Sequence, residues 1–181
     1  MAERSPGELL AILVDIERRS RAHAAGLPQQ DEIKSYWSGI GFRLADNLLL
    51  APLSDVFEIL HYPSMTRVPG TKPWVRGIAN IRGTLLPIMD LRGFLGGQPV
   101  PVHKTSRVLM VGQPGRYAGL VVDEVFGLKH FSEDERVAAP PDADELVRMH
   151  VRTAFERDGE LWRGFALREL ADSAPFMHVA A

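Results

Sequence analysis

Near the N-terminus, Leu9, Ile12, Leu13 and Ile16 recur at helical spacing, with Asp15, Glu17, Arg18 and Arg19 mostly on the opposite side. An apolar stripe of that period predicts an amphipathic helix. Ser5 supplies an N-cap, Pro6 the first helical position and Glu8 the carboxylate of a capping box. Gly26 and Pro28 supply the stop, so the helix is expected over residues 6–24. Its stripe has two readings: packing on its own domain, or docking onto a partner or a second copy. The mixed signs of its polar face argue against a membrane-surface helix.

From Trp37 the period shortens. Ile40, Phe42 and Leu44 alternate with small or polar residues, and Asp46-Asn47 is expected to turn the chain into an apolar run at 48–50. Ser54 and Asp55 suggest a helical turn before a strand at 56–61. Pro63, Pro69, Gly70 and Pro73 mark a loop. Apolar runs at 78–81 and 85–89 flank Arg82-Gly83-Thr84, which reads as a hairpin with a three-residue loop. A helical turn is expected at 91–95, ended by Gly96-Gly97. A polar connection, QPVPVHKTS, leads to a second hairpin at 108–111 and 118–122 across Gln113-Pro114-Gly115. Residues 125–131 read as a continuation of that sheet. An acidic loop precedes a last hairpin, 147–155 and 161–165, across Asp158-Gly159, with a closing helix at 167–172. Short strands with frequent turns predict a β-barrel or sandwich rather than a parallel sheet.

Composition narrows the possible functions. With 181 residues, 45% hydrophobic and 24% charged, the chain has the make-up of a globular protein able to bury a core without metal or disulfide staples. Cysteine is absent, which excludes thiolate metal sites and cysteine nucleophiles and suits a reducing compartment. The net charge of −2 and a pI near 6.3 offer no basic excess for nucleic acid. The apolar run at 9–14 follows Glu8 and breaks at Asp15, so it reads as neither signal peptide nor membrane span. A cytoplasmic protein with no direct membrane insertion is expected.

Catalytic, cofactor and metal motifs are not found. Lys104-Thr105 has the last residues of a phosphate-binding loop, but His103 stands where glycine is needed. The six histidines include no i, i+4 pair for a shared metal. The clusters Glu133-Asp134-Glu135 and Asp142-Asp144-Glu145 read as solvated loop carboxylates. In VRGIANIRGTLLPIMDLRGFL three Arg-Gly pairs sit among apolar residues. Gly77 and Gly83 fit turn or close-approach positions. A partly buried arginine there needs a carboxylate or carbonyl partner, and Glu58 within VFEIL is a candidate.

GIANIRGTLLPIMDLR resembles the central signature of the CheW-like domain, the adaptor module of bacterial chemosensory arrays. GFRLADNLLLAPLSDVFEIL is similar to its first strands and YAGLVVDEVFGL to a later one. The resemblance implies a mainly β fold of two intertwined five-stranded SH3-like β-barrels around a hydrophobic groove, here with an N-terminal α-helix and short helices. It implies a helical extension at 1–37, a CheW-like domain at 38–172 and a tail at 173–181. It implies no catalysis and no cofactor. The expected partners are the cytoplasmic tip of a methyl-accepting chemoreceptor and the regulatory domain of a CheA-like histidine kinase, with weak self-association an open option. Recruitment to membrane-associated arrays would follow.

Arg82 matches the family arginine associated with receptor coupling, and Glu58 the glutamate thought to pair with it. Val56 and Val108 align with apolar positions on the receptor-contacting surface. The segments VDIERRSR, GLPQQ, WSGIGFR and DEVFGLKHF resemble adaptors of chemosensory systems that control type IV pili and twitching motility. Coupling in a flagellar chemotaxis array is the alternative.

Overall fold

The computed structural model describes Asp15, residues 17–19, 36–138 and 145–181. Residues 1–34 and 35–181 form two compact units. In the first, the described residues are helical, and Asp15 accepts ion pairs from Arg18 at 2.9 Å and Arg19 at 2.6 Å. The rest of the helix expected over 6–24 lies outside the described residues, as do Asp142 and Asp144. No helix among the described residues is long and apolar enough to cross a membrane.

The second unit is mainly β. Its strands are β1 Tyr36–Leu44, β2 Asn47–Pro52, β3 Val56–His61, β4 Val75–Ile81, β5 Thr84–Asp90, β6 Arg107–Gln113, β7 Arg116–Val122, β8 Glu124–Ser132, β9 Arg136–Val137, β10 Val151–Arg157 and β11 Glu160–Phe165. One sheet runs β8-β1-β2-β11-β10-β9 and the other β3-β6-β7-β5-β4. The second has the expected five strands; the first has five long strands plus the two-residue β9. The whole second sheet is inserted between β2 and β8. β8 therefore returns to pair with β1, where the sequence suggested a continuation of the β6–β7 hairpin.

Backbone contacts close the second sheet on itself. Its edge strands are β3 and β4. Thr66, on the chain leaving β3, exchanges both main-chain hydrogen bonds with Ile78 of β4 at 2.9 Å. Gly77 beside it has φ 149°, and a Cβ there would lie 2.4 Å from the Thr66 carbonyl oxygen. The glycine makes the close approach possible.

Both sheets feed one core, to which Phe42 and Leu49 contribute from the first and Leu86, Ile88, Leu109 and Leu120 from the second. Side chains alternate across a strand, so Leu49 enters this core while Leu50 joins a smaller cluster with Phe131, Phe155 and Trp162. The C-terminal chain then crosses onto the second sheet. After β11 come the helices Leu167–Ala171 and Ala174–Met177, which place Leu167, Leu170 and Phe176 in the shared core. Phe176 stacks with Trp74 and meets Phe94 edge-on. This return, rather than alternation of strands, intertwines the two halves.

Several local expectations shift. The β1–β2 turn is Ala45-Asp46, one residue earlier than expected, since Leu44 pairs with Asn47, and Asp123 accepts the Ala45 N–H at 2.7 Å. Residues 145–148 are helical and the last hairpin starts at Val151. The Arg82 turn has two residues, not three, since Ile81 pairs with Thr84.

Candidate functional site

The β4–β5 hairpin displays Arg82 at its tip. Arg82 has φ 52° and Gly83 φ 85°, the positive pair required by a type I′ turn. Glycine or asparagine takes that backbone readily, whereas another side chain pays about 1–2 kcal/mol. Asn80 holds the turn by accepting the Gly83 N–H at 2.8 Å. An arginine in this strained place points to a role beyond making the turn.

Its guanidinium spans to β3. Arg82 Nη2 donates to Glu58 Oε1 at 2.8 Å, and Nη1 makes a longer contact of 3.4 Å with Oε2. The Arg82 side chain is 80% exposed and that of Glu58 26%. The ion pair thus joins the hairpin of one sheet edge to the opposite edge strand.

Apolar surface surrounds the pair. Phe57 sits at a register shift between Val56 and Glu58; its 64%-exposed side chain lies 4.9 Å from the Tyr117 ring. Leu85, on the other side of the turn, is 69% exposed. From Thr84 and Leu85 a groove of about 700 Å³ passes Pro87 and Met89 to Phe176 and Met177. A neutralised charge pair beside a long apolar groove can seat an apolar helix face while keeping polar contacts at its end.

The four residues expected at the receptor surface separate. Arg82 and Glu58 meet, and Val56 is part-buried against the core. Val108 is fully buried in β6, between its pairing partners Leu60 and Val121. It has no surface with which to touch a partner and belongs to the core. Family alignment locates an apolar position but not which side of its strand meets solvent.

The partly buried arginine foreseen in this segment is Arg76, not Arg82. Asp90 is 1% exposed and accepts from Arg76 Nε and Nη2, Gly93 N–H at 2.8 Å and Val100 N–H at 2.9 Å. Arg76 Nη2 also donates to the Val100 carbonyl at 2.7 Å. Asp90 caps the short helix Leu91–Phe94. An Asp directly before a helical turn is a readable N-cap signal, but its pairing with Arg76 depends on the register of β4 and β5.

A family model for the CheW-like domain matches residues 38–174; the chain belongs to that family. Among similar proteins, PilI of Pseudomonas aeruginosa is 46% identical over 169 residues, covering 93% of this chain and 94% of that one. The chemotaxis protein CheW of Helicobacter pylori is 31% identical over 113 residues, 62% of this chain and 68% of that protein. The crystal structure of the scaffolding protein TtCheW from Thermoanaerobacter tengcongensis matches with TM-score 0.65 and 27% identity, over 78% of this chain and 96% of that one.

Proposed function

We propose that this protein is a non-catalytic adaptor joining the cytoplasmic tip of a methyl-accepting chemoreceptor to the regulatory domain of a CheA-like histidine kinase. Its setting is a Pil-Chp type pathway controlling type IV pili and twitching motility, in the cytoplasm at membrane-associated arrays. The observation that carries the reading is the strained, exposed Arg82 clamped to Glu58, on the hairpin whose Thr84 and Leu85 begin an apolar groove, in a chain so similar to PilI. The adaptor unit takes in residues 35–181, with 1–34 an extension.

The receptor tip lays its apolar helix face in the groove and Arg82 reads its polar end, with Glu58 holding the guanidinium and Val56 supporting β3 from beneath. Kinase binds elsewhere on the domain. Each contact needs only about 800 Å² per partner, and an array raises the effective concentration of every weak link. Signal passes if the adaptor binds two receptor states unequally.

Arg82→Gly separates this role from a structural one. Glycine relaxes the turn, while loss of an exposed ion pair costs about 0–1 kcal/mol, so the melting temperature should hold or rise. Receptor-dependent kinase activation should disappear in reconstitution with receptor fragment and kinase. Retained activation, or a large fall in melting temperature accompanying its loss, overturns the assignment.

A further inference from the structure

The chain between the Leu91–Phe94 helix and β6 ends in a tight turn. Ser106 N–H donates to the His103 carbonyl at 3.1 Å. The buried Ser106 hydroxyl accepts the His103 N–H at 2.9 Å and donates to the Pro101 carbonyl at 3.3 Å. The turn is locked from inside, so its corner residues Lys104 and Thr105 are held out in solvent. Arg107 opens β6 opposite His61, the last residue of β3. His61, Tyr62, Val102, His103, Lys104 and Arg107 line an open concavity of about 600 Å³, and no Asp or Glu is among its lining residues.

Arg43, Arg76, Arg82 and Arg157 each end on a carboxylate. Arg107 instead donates Nη1 to the carbonyls of Lys104 and Ser106, both at 2.8 Å. Two neutral acceptors fix the guanidinium in place and leave its charge uncompensated. A chain with net charge −2 thus keeps an unneutralised basic concavity. It shares no lining residue with the apolar groove.

We propose that this concavity docks an extended acidic segment of a partner protein, with carboxylates seated on Lys104 and Arg107. The site is open, and its two cations, Lys104 at the turn and Arg107 at the start of β6, lie along one stretch of chain that an extended segment can follow. Same-face residues of an extended chain repeat about every 6.5–7 Å, which lets successive carboxylates meet separate cations. Val102, 49% exposed, and Tyr62 offer apolar contact to the backbone between them. Single surface ion pairs are weak, so several carboxylates together are needed.

The test is fluorescence anisotropy of a labelled hexaglutamate peptide titrated with the full chain, at low ionic strength and at about 0.15 M, where screening is strong beyond about 8 Å. Binding should weaken with salt and fall about five- to tenfold in Lys104→Glu. Lys104→Ala should show a smaller loss in the same direction, and Arg82→Ala no change. Lys104 is exposed and the alanine variant removes no hydrogen bond, so it serves even if the reversal unfolds; melting curves check both. Absent peptide binding, or equal binding by wild type and both Lys104 variants, overturns the proposal. So does Lys104-dependent binding of inorganic phosphate or phosphatidylglycerol vesicles that is tighter than that of the peptide.

Discussion

Arg82 and Asp90 flank the same strand and illustrate how burial sets the worth of a charge. The Arg82–Glu58 pair is exposed on its cationic side, so water screens most of its attraction and its contribution to stability is small. Asp90 is buried and four donors converge on its two oxygens. Removing it strands Arg76 and two main-chain N–H groups. Asp90→Ala should cost about 3–5 kcal/mol, read as a shift in the urea midpoint, whereas Asp90→Asn should lose less by keeping an acceptor. The sequence paired Glu58 with an arginine of this segment, which holds for Arg82; the second pair, Arg76 with Asp90, appears only once the register of β4 and β5 is set.

At the scale of elements, turns and edges do most of the organising. Asp158-Gly159 was legible as a turn because both residues tolerate positive φ, and they have φ 53° and 77°. Arg82-Gly83 adopts the same signs with a residue that gives no such cue. Gly77 permits the Thr66–Ile78 bridge, so Gly77→Ala should destabilise by about 1–3 kcal/mol, with faster hydrogen exchange at the Thr66 and Ile78 amides as the local signature. The acidic loop also proved more structured than its charge suggested. Ser132 and Glu135 form a capping box, and Arg157 of β10 grips Glu135 through Nε and Nη2. These bonds tie the turn between β8 and β9, opposite edges of the first sheet.

That grip has a pH consequence. The Arg157 side chain, helped by the Ser132 N–H, lowers the Glu135 pKa from 4.5 to about 2. A carboxylate depressed in the folded state stabilises above its unfolded pKa and loses that contribution as pH falls towards the folded value. The effect belongs to the window between about pH 4.5 and 2. Melting temperatures across that window should fall less steeply in Glu135→Gln than in the parent; parallel slopes would contradict the linkage.

The whole molecule depends on the chain's last crossing. Residues 173–181, set beyond the domain in the sequence reading, place Phe176 in the shared core and bridge Ala180 to Thr71. Phe176→Ala should cost about 3–5 kcal/mol. The same substitution opens one wall of the groove, so calorimetry with a receptor-tip helix should show weaker binding even at temperatures where the variant is fully folded.

By itself the sequence determined the β class, most strand positions, the closing helix, the family and the Arg82–Glu58 partnership, because periodicity, turn chemistry and a conspicuous local motif are written in neighbouring residues. Tertiary structure alone decided which sheet β8 joins, which side of β6 Val108 faces, where Asp90 finds its arginine and that Lys104 and Arg107 share an uncompensated hollow. Each of these depends on register and closure between segments far apart in the chain. A one-residue change in pairing reverses which face a side chain takes, so such contacts exist only once the strands have met.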